Sequence, residues 1–121
     1  RDAHASRHPF LEVIDDLKPQ PGDIVIEKYR YDAFYNTQLQ SLLENIRGLH
    51  QIDTVIITGT LTEVCCESTA RGAYMRDYKV AFISDATGGL SDEAQKATES
   101  AIGTFFGRVL STDEVIAELT A

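Results

Sequence analysis

Thr54-Val55-Ile56-Ile57-Thr58-Gly59-Thr60-Leu61-Thr62-Glu63-Val64-Cys65-Cys66-Glu67-Ser68-Thr69-Ala70 is the stretch on which the fold turns. Its first four residues form a nearly continuous apolar run of strand length, the pattern of a strand buried on both faces. Gly59 ends the run, and the residues from Glu63 to Tyr78 read as a helix. A buried strand leading through a short turn into a helix is the opening of a βαβ unit, so the flanking sequence decides whether the unit repeats.

Downstream it does. Lys79 to Ile83 reads as a strand ending in the loop Ser84-Asp85-Ala86-Thr87-Gly88-Gly89, and Ser91 caps a helix reaching about Phe106. Val109-Leu110 is a short strand, and Thr112 opens a final helix through Val115, Ile116 and Leu119. Upstream, Leu39, Leu42, Leu43, Ile46 and Leu49 recur at the steps of an amphipathic helix that Thr37 can cap. Before it, Asp23-Ile24-Val25-Ile26-Glu27 is a β-branched strand candidate after a Pro21-Gly22 turn, with Lys28 at its end. The lead-in is polar apart from Phe10, Leu11, Val13, Ile14 and Leu17. Strands alternating with helices predict a parallel sheet in a doubly wound, three-layer α/β/α Rossmann-like domain. At 121 residues the chain is sized for one domain, residues 1–121.

Bulk properties narrow the function. A formal net charge of -8 repels phosphate backbones and anionic lipid, so nucleic acid and membrane are poor partners. No apolar run is long enough to span a bilayer, and a soluble protein is expected. The two cysteines are adjacent and cannot staple the fold, which fits a reducing, cytoplasmic setting. His4, His8 and His50 show no ligand spacing, and neither a metal nor another cofactor is expected. The chain has no secretory leader and no starting methionine, as a fragment of a longer protein would.

In parallel sheets the reactive groups gather beyond the carboxyl ends of the strands. Lys28, the Gly59-to-Cys65 turn and Asp85 all fall there. Cys65 stands in the first helical turn, where unpaired N–H groups and the helix dipole favour a thiolate. Thr62 can cap that turn by accepting from the Cys65 N–H. Cys66 keeps step with Ala70 and Ala73 on a small apolar face and reads as core. An inert buried thiol is the plainer alternative for Cys65, and a solvated strand-end lysine for Lys28. Tyr31, Phe34 and Asn36 follow Lys28 in an aromatic loop and are candidate substrate contacts; covering a core edge is their alternative role. Asp85 points into the cleft or caps its own loop, with capping favoured.

Two blocks carry a resemblance. Gly59-x-x-Thr62-x-x-Cys65-x-x-x-Thr69-Ala70 resembles the nucleophile motif of the isochorismatase-like cysteine hydrolases, which include nicotinamidases, N-carbamoylsarcosine amidohydrolase and ureidoacrylate amidohydrolase. The segment from Pro19 to Thr37 resembles the lysine block of the ureidoacrylate-type members. The resemblance runs from about Phe10 to Leu119. It implies Cys65 as nucleophile, Lys28 as its catalytic partner, a cis peptide between Thr60 and Leu61, and an oxyanion hole formed by the N–H groups of Leu61 and Cys65. The implied reaction is hydrolysis of a C–N bond in a small amide or carbamoyl compound through an acyl enzyme, by a homo-oligomer. The family's catalytic aspartate ends a first strand for which this sequence has no counterpart; Asp2, Asp15 and Asp16 stand in other contexts. The chain thus corresponds to the C-terminal two-thirds of the family domain, with a separate N-terminal fragment as one possible partner. Gly72 also replaces an aspartate common in the family. The competing readings are a non-catalytic binding or scaffold domain, an isochorismatase-type vinyl ether hydrolase, and a redox role for the Cys65-Cys66 pair.

Overall fold

A computed structural model describes residues 12–46 and 51–121. Phe10, Leu11, Leu49, Asp2, His4, His8 and His50, named above, lie outside the described residues. The ordered elements are α1 (Leu39–Asn45), β1 (Thr54–Thr60), α2 (Glu67–Tyr74), β2 (Lys79–Gly88), α3 (Asp92–Ala101), β3 (Arg108–Leu110) and α4 (Thr112–Leu119). A π-helical turn, Thr62–Cys66, leads into α2, and a second, Ile102–Phe106, follows α3. The three strands form a parallel sheet in the order β1-β2-β3.

The central strand explains the layering. Along β2, Val80 and Phe82 point to one face and join Cys66, Ala70, Ala73, Ile102 and Phe34 in the main core. Ala81 and Ile83 point to the other and pack with Leu110 and Val115 of α4. The alternation of side chains across a strand therefore serves two cores at once, one beneath α2 and one beneath α4. Phe82 and Ile102 are fully buried, each contributing roughly 1.5–3 kcal/mol of apolar burial.

The strand buried on both faces is thus β2, and β1 is not. Val55 and Ile57 pack against the main core, whereas Ile56 is 44% exposed on the other face. The cause is position: among the described residues β1 is an edge strand, so half of what its apolar run could cover stays open.

The expected strand at Asp23–Glu27 does not form either. Those residues belong to no sheet, and Ile24 and Val25 are about half exposed. A β-branched run becomes a strand only beside another edge, and here Ile24 and Ile26 share a shallow cleft with Leu39, Leu42 and Leu43 of α1 and with Ile46 just beyond it. Conversely, β2 runs further than expected. After an irregularity its pairing with β1 resumes at Gly59↔Thr87 and Thr60↔Gly88, so the Ser84–Gly88 segment belongs to the sheet.

The helix starts follow local chemistry. Ser91 Oγ accepts from the Ala94 N–H at 3.1 Å, and Ser111 forms a reciprocal capping box with Glu114 at the start of α4. Thr37 Oγ1 accepts from the Leu39 N–H at 3.2 Å and donates to the Ala33 carbonyl, tying α1 to the preceding loop. The Asp85 carboxylate accepts from the N–H and the hydroxyl of Thr112 at 2.7 and 2.8 Å. It caps the start of α4, and these bonds, with a lesser one from its own backbone, hold its pKa below the usual carboxylate value.

Candidate active site

At the carboxyl end of β1 the chain passes a glycine in the left-handed region, Gly59 with φ +117°, and a cis peptide between Thr60 and Leu61. It then enters the π-helical turn that carries both cysteines. The Leu61 carbonyl accepts from the N–H groups of Val64 and Cys66, each at 3.1 Å. Thr62 does not cap this turn: no side-chain cap bond is made at its start. The Thr62 hydroxyl, fully buried, donates instead to Gln95 Oε1 at 2.5 Å.

Thirty-seven residues away in sequence, Lys28 reaches the same place. Its ammonium donates to the Arg30 carbonyl at 2.9 Å and to Cys65 Sγ at 3.6 Å. A cavity of about 240 Å³ surrounds this contact, lined by Lys28, Ala33, Thr58, Thr60, Cys65 and Thr69 among others. The half-buried Cys65 thus presents its sulfur to a small chamber that also holds a fixed positive charge.

The two adjacent thiols have separate environments. Cys66 is 4% exposed, packs with Ala70 and Ala73, and directs its sulfur toward the Thr58 carbonyl, 4.0 Å away. Burial, reinforced by the neighbouring Cys65 and opposed by Lys28, pushes its pKa up to about 11. It remains a neutral thiol near pH 7 and is a core residue.

The loop following Lys28 is held from α2. Thr69 Oγ1 accepts from the Ala33 N–H at 3.0 Å, and Asp32 Oδ1 accepts from the Phe34 N–H at 2.9 Å. Asp32 lies directly over Gly72, where a Cβ would come within 2.7 Å of its carboxylate, so a larger residue at position 72 would have to displace that side chain. Phe34 is 5% exposed, stacked on Tyr78 with ring centroids 6.2 Å apart and covered by the Arg76 guanidinium at 4.6 Å. It belongs to the main core. Tyr31 is 64% exposed and borders a different depression with Arg30, Tyr35 and Ser68. Asn36 occupies an exposed left-handed turn position with φ +50°.

Lys28, Cys65, Thr60 and their neighbours therefore come together, while Tyr31, Phe34 and Asn36 do not line the chamber. Ala33 and Thr69 do, and the sequence reading named neither as a substrate contact. Thr69 stood inside the nucleophile motif, four residues and about one helical turn beyond Cys65; that spacing was the available signal. For Ala33 there was none. Among the described residues no three His, Cys, Asp or Glu side chains come together as metal ligands.

Comparison with known proteins gives the family of this parallel α/β fold. The chain matches the isochorismatase domain over residues 2–114 and belongs to that family. It is 46% identical over 101 residues to ureidoacrylate amidohydrolase RutB of Pantoea ananatis, covering 83% of this chain and 39% of the relative. Against the protein of the same name from Variovorax paradoxus the identity is 42%, covering 87% and 40%. Among solved structures, a cysteine hydrolase from Pseudomonas syringae pv. phaseolicola superposes with a TM-score of 0.87 at 34% identity, over 95% of this chain and 57% of that one. N-carbamoylsarcosine amidase from Thermoplasma acidophilum gives 0.73 at 33% identity, over 84% and 56%. The chain spans about two fifths of the length of the curated relatives it matches.

Proposed function

We propose that this chain carries the nucleophile half of a cysteine amidohydrolase acting on a small carbamoyl or ureido compound. The observation that carries the proposal is the Lys28 Nζ to Cys65 Sγ contact of 3.6 Å inside the chamber at the sheet's carboxyl edge. A cationic neighbour favours the thiolate, which is the nucleophilic form of cysteine. The thiolate adds to the carbamoyl or amide carbon, and the electron pair moves to the carbonyl oxygen. The N–H groups of Leu61 and Cys65 receive that oxyanion; donors so placed are worth roughly 3 kcal/mol each in comparable sites. Collapse breaks the C–N bond, the nitrogen leaving as neutral amine or ammonia with the proton first taken from the thiol, and leaves a thioester (from an amide) or a thiocarbamate (from a carbamoyl group) on Cys65, which water then hydrolyses. The aspartate that the resemblance implies as proton acceptor is not found beside Cys65 among the described residues, so the activity belongs to the full-length protein.

Similarity to proteins named ureidoacrylate amidohydrolase supports an N-carbamoyl acid as substrate. The chamber volume, about 240 Å³, suits a substrate of a few heavy atoms near the reacting bond. The test is Cys65→Ala and Cys65→Ser in the full-length protein, assayed for ammonia release from ureido acids. Turnover should fall by about 10⁴-fold or more with the melting temperature unchanged. Retained turnover in Cys65→Ala would remove the thiolate mechanism. Absence of turnover in the unaltered protein, together with slow alkylation of Cys65, would favour the scaffold reading.

A further inference from the structure

We infer that Gln95 is a positioning residue for the nucleophile, acting through Thr62 to fix the turn that carries Cys65; the inference rests on the reading of Cys65 as nucleophile. Gln95 lies on α3, outside the chamber, yet its side chain joins three parts of the fold. Its amide nitrogen donates to the Ser84 carbonyl at 3.3 Å and to Thr87 Oγ1 at 3.0 Å. Thr87 Oγ1 in turn reaches the Ile83 carbonyl at 3.0 Å. Its amide oxygen receives the Thr62 hydroxyl.

The direction of this chain of bonds is determined by chemistry. A backbone carbonyl can only accept, so the Gln95 nitrogen must face Ser84, and its oxygen must face Thr62. Thr62 is therefore obliged to donate. Its hydroxyl is fully buried, where a missing partner would be costly, so the bond pins the first residue of the π-helical turn to β2 and α3.

The next residue is tied independently. Both oxygens of the Glu63 carboxylate lie 3.2 Å from the Leu90 N–H, and the carboxylate sits so close over Gly89 that a Cβ there would meet it at 2.9 Å. Two consecutive residues of the turn are thus held from the β2–α3 connection, two and three positions before Cys65. The lysine comes from a different part of the chain, its ammonium held by the Arg30 carbonyl. The 3.6 Å contact joins two segments distant in sequence, and Gln95 helps to hold the one that carries Cys65. Catalytic geometry is sensitive to displacements of about 1 Å even when the altered residue is remote from the chemistry.

The test uses the full-length protein with Gln95→Met, Thr62→Val and the double variant. Alkylation of Cys65 by iodoacetamide is followed by intact mass from pH 6 to 10, beside kcat, KM and melting temperature. Each single variant should slow alkylation at pH 7 by about tenfold and lower kcat with KM nearly unchanged. The double variant should be no slower than either single one to within about twofold, because both remove the same bond. A melting temperature that falls while the alkylation profile superimposes on that of the unaltered protein would overturn the inference, as would effects that multiply in the double variant. The nucleophile reading fails separately, through retained turnover in Cys65→Ala.

Discussion

Gly107→Ala should be among the most damaging single-methyl additions to this fold, and the reason is distance alone. Gly107 has φ 175°, an extended conformation open to any residue, so the backbone angle is no obstacle. A Cβ built there would lie 2.4 Å from the Val80 carbonyl oxygen and 2.7 Å from the Val80 Cβ. Carbon–oxygen contacts relax only at about 3.3 Å, so the chain must open by roughly 0.9 Å. What would have to move is β2, which is bonded to β1 on one side and β3 on the other and buried at Val80. Overpacking of this kind costs about 1–3 kcal/mol, and a backbone neighbour places the cost at the upper end, about 3 kcal/mol. With a urea m-value of about 1.5 kcal/mol/M the midpoint should fall by about 2 M. Gly103→Ala is the internal control: four residues earlier, within a helical turn, its Cβ would meet Val109 Cγ2 at an ordinary 3.5 Å. Alanine is favoured over glycine in a helix by about 0.5–1 kcal/mol, so that midpoint should rise by about 0.3–0.7 M. A Gly107→Ala midpoint within about 0.3 M of the unaltered protein would refute the reasoning.

Cys66, with its pKa raised to about 11, should remain unlabelled by iodoacetamide at pH 8 while Cys65 takes up one equivalent. Peptide mapping that finds the label on Cys66 at a comparable rate would contradict its assignment to the core. Asp85 has a lowered folded-state pKa, so its stabilisation is present above the unfolded value of about 3.9 and is lost as pH falls through the folded one. Asp85→Asn should therefore melt lower than the unaltered protein at pH 7, with the gap closing in melts run below about pH 4; a gap independent of pH would count against the Thr112 bonds as its cause.

The legible parts of the fold were those set by local chemistry. Ser91 and the Ser111–Glu114 pair announce helix starts because capping is a matter of three or four adjacent residues. The small face of Cys66, Ala70 and Ala73 announced a helix pressed onto a sheet, and the structure buries all three. What could not be read depends on neighbours distant in sequence. Thr54–Ile57 and Asp23–Glu27 have similar apolar runs, yet one pairs with β2 and the other has no strand beside it among the described residues. Position in the sheet, not composition, also made β2 the doubly buried strand. At the site, Cys65 could be placed beyond the end of a real strand, but the strand counted before Lys28 does not form, so its pairing with Cys65 was legible only from the resemblance of the two blocks. The diversion of Thr62 from a cap to Gln95, thirty-three residues away, has no periodicity to betray it. Phe34 shows the same limit: an aromatic residue in a loop beside a site is drawn into whatever core lies within reach.

The divergence of the two adjacent sulfurs shapes how the site would age under oxidants. Peroxide reaching the chamber would meet Cys65 and convert it to a sulfenic acid. In redox-sensing proteins a nearby second thiol then closes a disulfide and protects the sulfur from further oxidation. Here the chain's other cysteine faces the Thr58 carbonyl among Ala70 and Ala73 and stays protonated near pH 7. To resolve the sulfenic acid it would have to leave the core it helps to fill. Within this chain no second thiol stands ready, so without a thiol supplied from elsewhere oxidation continues to the irreversible sulfinic state.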